Sequence, residues 1–98
     1  MKTIGTIEAY GETLRLQLDK YCADNTTAIW LVDVDGEPFG SLTVGIPGTA
    51  LAEDEILAKT WGENMEFRSP ALASGLFTDT GRRVTTGYAI AEVWRLHA

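Results

Sequence analysis

The sequence predicts an α+β fold of five to seven mainly antiparallel strands with one short helix around residues 63–75. Three observations carry this. Apolar residues recur at period two over most of the chain, turn-forming pairs punctuate those runs, and only one stretch has the boundary chemistry of a helix.

The first element read in chain order is a strand at 13–21, TLRLQLDKY. Leu14, Leu16 and Leu18 fall on one face, and Arg15, Gln17 and Asp19 on the other. Asp24-Asn25 supplies a turn, and 27–34, TAIWLVDV, forms a second and more apolar strand. Asp35-Gly36 then predicts a type I′ hairpin, because both residue types tolerate positive φ. Its register pairs Val32 with Phe39, Leu31 with Gly40, Trp30 with Ser41 and Ile29 with Leu42. Apolar residues on both faces predict a central hairpin covered on each side. Gly40 and Gly45 predict a bulge or a close backbone approach, and Pro47-Gly48 ends the strand.

Residues 49–62 fit a helix face (Leu51-Ala52, Ile56-Leu57-Ala58) and a short extended run at 55–60. The Glu53-Asp54-Glu55 triplet and Gly62 as framing residues favour the strand. Within 63–75, ENMEFRSPALASG, the helix is expected to break or restart at Pro70, with Ser69 as N-cap and Gly75 at the C-terminal cap. Thr80-Gly81 predicts a turn. A closing strand over 83–96, kinked at Gly87, would place Val84, Tyr88, Ile90, Trp94 and Leu96 on one face.

Ninety-eight residues with 45% hydrophobic and 22% charged side chains predict one folded domain spanning 1–98. No apolar run reaches the roughly 20 residues needed to span a bilayer, and Met1-Lys2-Thr3-Ile4-Gly5 lacks a signal-peptide pattern. The single cysteine, Cys22, excludes an intrachain disulfide and points to a reducing compartment; a cytoplasmic location is expected.

Charge is distributed unevenly. Residues 24–66 hold nine acids (Asp24, Asp33, Asp35, Glu37, Glu53, Asp54, Glu55, Glu63, Glu66) and one base, Lys59, for a local net charge of −8. Residues 1–23 balance at zero and 67–98 carry +2, giving −6 in all. Such a chain repels a nucleic-acid backbone and favours basic partners.

Catalytic chemistry finds little support. The only histidine, His97, lies next to the C-terminal residue, where fraying disfavours a general base. Cys22 has no basic neighbours to activate a thiolate and reads as inert. Asp33-Val34-Asp35-Gly36-Glu37 opens like a calcium loop, but Pro38 stands at position 6 where glycine is needed and Val44 at position 12 where glutamate is needed. The glycines are not followed by the Gly-Lys-Ser/Thr of a phosphate loop. Arg82-Arg83 reads as solvated charge at a turn. Trp30 and Trp94 read as core, whereas Trp61, beside Gly62 and the acid-rich loop, reads as an exposed anchor. No catalytic, cofactor or metal residues are assigned, and the protein is expected not to be an enzyme.

Gly36-Glu37-Pro38-Phe39, Leu42-Thr43-Val44, Pro47, Glu53-Asp54-Glu55, Lys59, Glu63-Asn64, Gly75-Leu76, Thr80-Gly81-Arg82 and Val84 together resemble a family of small acidic bacterial proteins of unknown function, borne on phages, plasmids and integrated elements. The resemblance covers about residues 12 to 96 and implies a mobile-element accessory protein in bacterial cytoplasm. Small acidic proteins of such elements include anti-CRISPR inhibitors, which bind the basic nucleic-acid channel or target-recognition face of a CRISPR effector. The expectation is therefore an inhibitor that contacts a basic protein surface, such as a CRISPR effector subunit, and neither nucleic acid directly nor a membrane. Its contact residues would be Asp33, Asp35, Glu37, Glu53, Asp54, Glu55, Trp61, Glu63 and Glu66. The alternative is a structural or regulatory module, monomer or homodimer, whose acidity serves solubility alone. Docking through these acids requires that they converge in space.

Overall fold

The computed structural model describes residues 2–97 and is mainly antiparallel sheet with one short helix. Its seven strands are β1 (Lys2–Ala9), β2 (Glu12–Lys20), β3 (Thr27–Val32), β4 (Pro38–Ser41), β5 (Glu55–Ala58), β6 (Phe77–Thr86) and β7 (Ala89–Leu96). Between β5 and β6 a 3-10 turn, Gly62–Asn64, leads into helix α1, Met65–Ala73. The strands form two sheets, ordered β1-β2-β3-β4 and β5-β7-β6.

Alternation in β2 places Leu14 and Leu16 in the core, where they meet Ile7 and Ala9 of β1 and Ile29 and Leu31 of β3. Ile56, Ala58, Phe77 and Trp94 close that core from the second sheet, and Phe67 and Ala71 close it from α1. The strand at 13–21 thus forms with its expected faces, and 55–58 is a strand. All four residues of β5 are buried, because its other face is covered by Val44, Ile46, Leu51 and Trp61 around Leu57, Ala91 and Val93.

The chain passes from one sheet to the other just after β4. Leu42 donates its N–H to Ile29 O, then Thr43 lies opposite Ala58, and Val44 N–H bonds Leu57 O. This segment makes β4 an edge of its sheet, so the hairpin is not central as its apolar pattern predicted.

Its turn also differs. Trp30 pairs with Ser41 and Leu31 with Gly40 as expected, but a bulge then sets Val32 against Pro38. Only Gly36 has positive φ (82°), Gly36 N–H bonds Asp33 O, and Asp33 N–H bonds Glu37 O. This is a three-residue loop with glycine at the left-handed position. Asp33 imposes it, since its Oδ1 accepts the N–H groups of both Asp35 and Glu37 at 2.9 Å. The two-residue turn with positive φ at both corners instead joins β1 to β2, at Tyr10 (55°) and Gly11 (70°).

Four further expectations are corrected. The 83–96 run is not one strand: Thr86 pairs with Ala89, and Gly87, at φ 56°, turns the chain back, leaving Tyr88 and Ile90 exposed at the tip. Thr80-Gly81 does not reverse the chain but forms a bulge between Asp79↔Trp94 and Arg83↔Glu92. Nor does α1 break at Pro70, and its N-cap position is Asn64, not Ser69. Gly75 does take positive φ just past the helix, as the C-terminal signal predicted.

Candidate functional site: an acid-rimmed aromatic cleft

β2 and β3 run antiparallel with Arg15 opposite Val32, so the β1–β2 turn and the β3–β4 loop emerge at the same end of the first sheet. That juxtaposes Tyr10 with Phe39, ring centroids 6.1 Å apart. Phe67 of α1 stands edge-on to both, at 5.7 Å from Tyr10 and 6.2 Å from Phe39. Phe67 is buried, but Tyr10 and Phe39 remain 51% and 39% exposed. The three rings line an open cleft of about 440 Å³ whose other walls are Gly40, Ser41, Lys59, Glu63 and Asn64.

Asn64 holds the helix start in place. Its buried side-chain amide donates to Ser41 O at 2.6 Å and Lys59 O at 3.0 Å, tying the 3-10 turn to the edge of β4. The Tyr10 hydroxyl donates to Glu63 O from the opposite wall. Desolvation, then the nearby Glu66 and Glu63 carboxylates, push the Tyr10 phenol upward from its ordinary pKa. Glu63 is itself a wall of the cleft, and Glu66 follows it on the first turn of α1, immediately before Phe67.

The nine acids of residues 24–66, eight of them predicted contacts and Asp24 the ninth, divide into three groups. Asp35 and Glu37 (on the loop leading into Phe39), with Glu63 and Glu66, gather at the cleft end and are exposed. Asp24, Glu53 and Asp54 lie at the opposite end of β3, around a larger depression of about 510 Å³ and a smaller adjoining one. Lys20 lines both depressions, and neither has an aromatic wall. Glu55 and Asp33 have internal roles. Glu55 is buried and takes a fork from Arg82 Nη1 at 2.8 and 2.9 Å; Asp33 caps its own loop. The nine acids accordingly do not converge on one face, and Glu55 is not available for docking.

Trp61 is half-buried against the outer face of the second sheet, with Lys59 Nζ 5.9 Å from its ring centroid, and is not the open anchor its sequence context predicted. Among the described aromatic residues, the exposed rings are Tyr10, Phe39 and Tyr88. Tyr10-Gly11, a glycine-containing pair ahead of the alternating 13–21 run, was a legible signal for the β1–β2 turn alone.

Arg82 and Arg83 are ion-paired and do not carry free solvated charge. Arg83 holds Asp79 through two 2.9 Å bonds and lies 3.7 Å from Glu92. Arg68 of α1 reaches both Glu92 and Asp79, and Trp94 Nε1 donates to Glu92 at 3.0 Å. Arg83, together with the Gly81 N–H, outweighs burial and lowers the Asp79 carboxyl to about 2. Burial pushes Glu92 upward, but Arg68 and Trp94 prevail and its pKa is lowered; the Ala52 N–H and Arg82 lower Glu55 against the effect of burial. These shifts run opposite to those that prepare a carboxyl as a general acid near neutrality. His97 is docked, not frayed: its N–H bonds Leu76 O and its ring bonds the Thr78 hydroxyl, with no carboxylate in the pairing. Cys22 is exposed. Among the described residues no three His, Cys, Asp or Glu side chains come together as a metal site, and no helix is long and apolar enough to cross a membrane.

The fold and cleft define a small α+β sheet protein with an open, aromatic-lined cleft that Glu63 borders. No family model, curated protein or solved structure matches the chain.

Proposed function

We propose that this protein is a non-enzymatic binding module that docks on the basic surface of a nucleic-acid-binding protein, with the Tyr10–Phe39–Phe67 cleft as its contact. The observation that carries the proposal is the pair of exposed aromatic rings in a cleft lined by Glu63, with Glu66 on the adjoining helical turn and Asp35 and Glu37 on the loop that leads into Phe39. Among the described residues, Asp54, Glu55, Asp79 and Glu92 are ion-paired; Asp35, Glu37, Glu63 and Glu66 are in no ion pair, nor are Asp24 and Glu53 at the far end, so it is the cluster of rings that sets the cleft apart. Carboxylates speed encounter with a basic face, and desolvated aromatic anchors slow dissociation. The mechanism is competition: the acids occupy lysine and arginine sites that otherwise hold phosphates. Under the resemblance drawn from the sequence, the partner is a CRISPR effector subunit and the setting bacterial cytoplasm.

The test is capture of partners from bacterial lysate at low and high salt, followed by competition with the nucleic acid of the recovered protein. The expected result is a basic nucleic-acid-binding protein, released by salt and displaced by its own nucleic acid. A partner that binds this protein and its nucleic acid simultaneously would remove the competitive mechanism. A second reading, self-association, draws on Tyr88 and Ile90, which are fully and 56% exposed on the β6–β7 tip. In that reading β7 does not supply the edge, because it is the central strand of its sheet. Light scattering that shows a dimer lost in Tyr88→Ser would favour it.

A further inference from the structure

We infer that the cleft recognises an arginine side chain carried on an exposed loop or extended segment of the partner, with the guanidinium plane against Tyr10 and Phe39 and its N–H groups toward Glu63 and Glu66. The inference rests on the basic-partner reading and specifies the residue that anchors it.

The floor and rim of the cleft differ in chemistry. The floor presents aromatic surface: Phe67 is edge-on to the other rings, so it braces Tyr10 and Phe39 without covering them, and both stay substantially exposed. The rim supplies charge that nothing in the described chain neutralises, since neither Glu63 nor Glu66 is in an ion pair. Lys59 also lines the cleft, but its ammonium lies over the Trp61 ring.

A ligand that satisfies both surfaces must offer a flat face to an aromatic ring and donors at its periphery to carboxylates. Guanidinium does both at once. An ammonium is a compact, strongly hydrated point charge; to reach a carboxylate it leaves the ring, and to sit on the ring it gives up donors. An apolar anchor would leave the carboxylates solvated but uncompensated, and a carboxylate or phosphate would be repelled. The depressions around Glu53 and Asp54 lack an aromatic wall and carry Lys20, and the hollow that Asp24 shares with Tyr21 holds a single carboxylate, so neither meets the same requirement.

The experiment uses three synthetic nonapeptides of glycine and serine that bear two arginines, two lysines or two citrullines at the same positions. Each is titrated into the isotope-labelled full chain and followed by amide chemical shifts. The arginine peptide is expected to shift Tyr10, Phe39, Glu63 and Glu66, and to bind about fivefold more tightly than the lysine peptide. Citrulline, which keeps the plane and loses the charge, is expected to bind at least as weakly as lysine. Phe39→Leu, which keeps apolar volume and removes the ring face, should bring arginine down to the lysine level. Glu63→Gln with Glu66→Gln should weaken both cationic peptides, while Glu53→Gln with Asp54→Asn leaves them within about twofold.

Equal affinity for the arginine and lysine peptides, or an unchanged preference in a folded Phe39→Leu protein, would overturn the arginine assignment. So would the absence of cleft shifts at millimolar peptide. If a basic partner is nevertheless captured from lysate and released by salt, the docking reading stands without its arginine anchor; if none is captured, both fall.

Discussion

Three carboxylates of this protein, Glu55, Asp79 and Glu92, are drawn in among arginines, whereas Asp35, Glu37, Glu63 and Glu66 stay exposed. Asp79 and Glu92 fasten α1 and the β6 bulge to the second sheet through Arg68 and Arg83, and Glu55 fastens the 50–55 segment to β6 through Arg82. Their folded pKa values are depressed, so each binds protons less readily in the folded chain than in the unfolded one. The stability they contribute is present above the ordinary carboxylate range and is lost as pH falls through the folded values. For Asp79 the window runs from its ordinary 3.8 down to about 2. The arginine partners are about 40% exposed, which weakens the pairing through solvent screening. A loss of about 1–2 kcal/mol is therefore expected across that window. Urea denaturation between pH 5 and pH 2.5 measures it: the midpoint should fall with pH in the native protein and fall less in Asp79→Asn. Parallel curves for the two proteins would show that Asp79 contributes nothing to acid sensitivity.

At the scale of elements, α1 runs through Pro70 without interruption. A proline there withholds the N–H that would bond Glu66 O one turn earlier and crowds that carbonyl. What keeps the helix intact is tertiary: Phe67 and Ala71 are buried on either side of Pro70, and Arg68 is held by Glu92. Pro70→Ala should therefore stabilise the fold by about 2 kcal/mol, the helix-interior penalty of proline less the entropy it removes from the unfolded chain. Chemical denaturation reads this directly, and a lower midpoint would mean that the proline ring itself packs productively.

The same element shows where sequence reasoning reaches its limit. Ser69-Pro70 is a sound local signal for a new helix start, and long-range burial overrides it. Strand periodicity was legible in β2, where one face is committed to the core; β3 was legible from its apolar run and β5 from the residues that frame it, since all four of its side chains are buried. Residues 83–96 misled because Thr86↔Ala89 pairing across Gly87 brings a second strand in, and alternation alone does not distinguish a kink from a reversal. At the candidate site, the exposed acids Glu37, Glu63 and Glu66 were legible from composition. The aromatic floor was not, because Tyr10, Phe39 and Phe67 are brought together only by the β2–β3 register and the docking of α1.

Across the whole molecule, the acidic segment resolves into two poles. β3 separates the Asp24 turn from the Asp33–Glu37 loop by six residues, about 20 Å of extended chain. Electrostatic influence at physiological ionic strength decays over about 8 Å, so the poles act on a partner almost independently. Net charge and local placement thereby become separable. Glu37→Lys with Glu63→Lys changes the cleft pole by +4, and Glu53→Lys with Asp54→Lys makes the same change at the far pole, so both variants carry the same net charge. If docking uses the cleft, the first pair should slow association with the captured basic partner by about tenfold or more at low salt, and the second by about twofold, through the overall field. Raising the salt should shrink the first effect toward the second. Stopped-flow or surface-binding association rates measured over a salt series provide the comparison. Matched slowing by the two variants would assign the effect to net charge and leave the cleft without a steering role; greater slowing by the far pair would move the docking surface to the Asp24–Glu53–Asp54 pole.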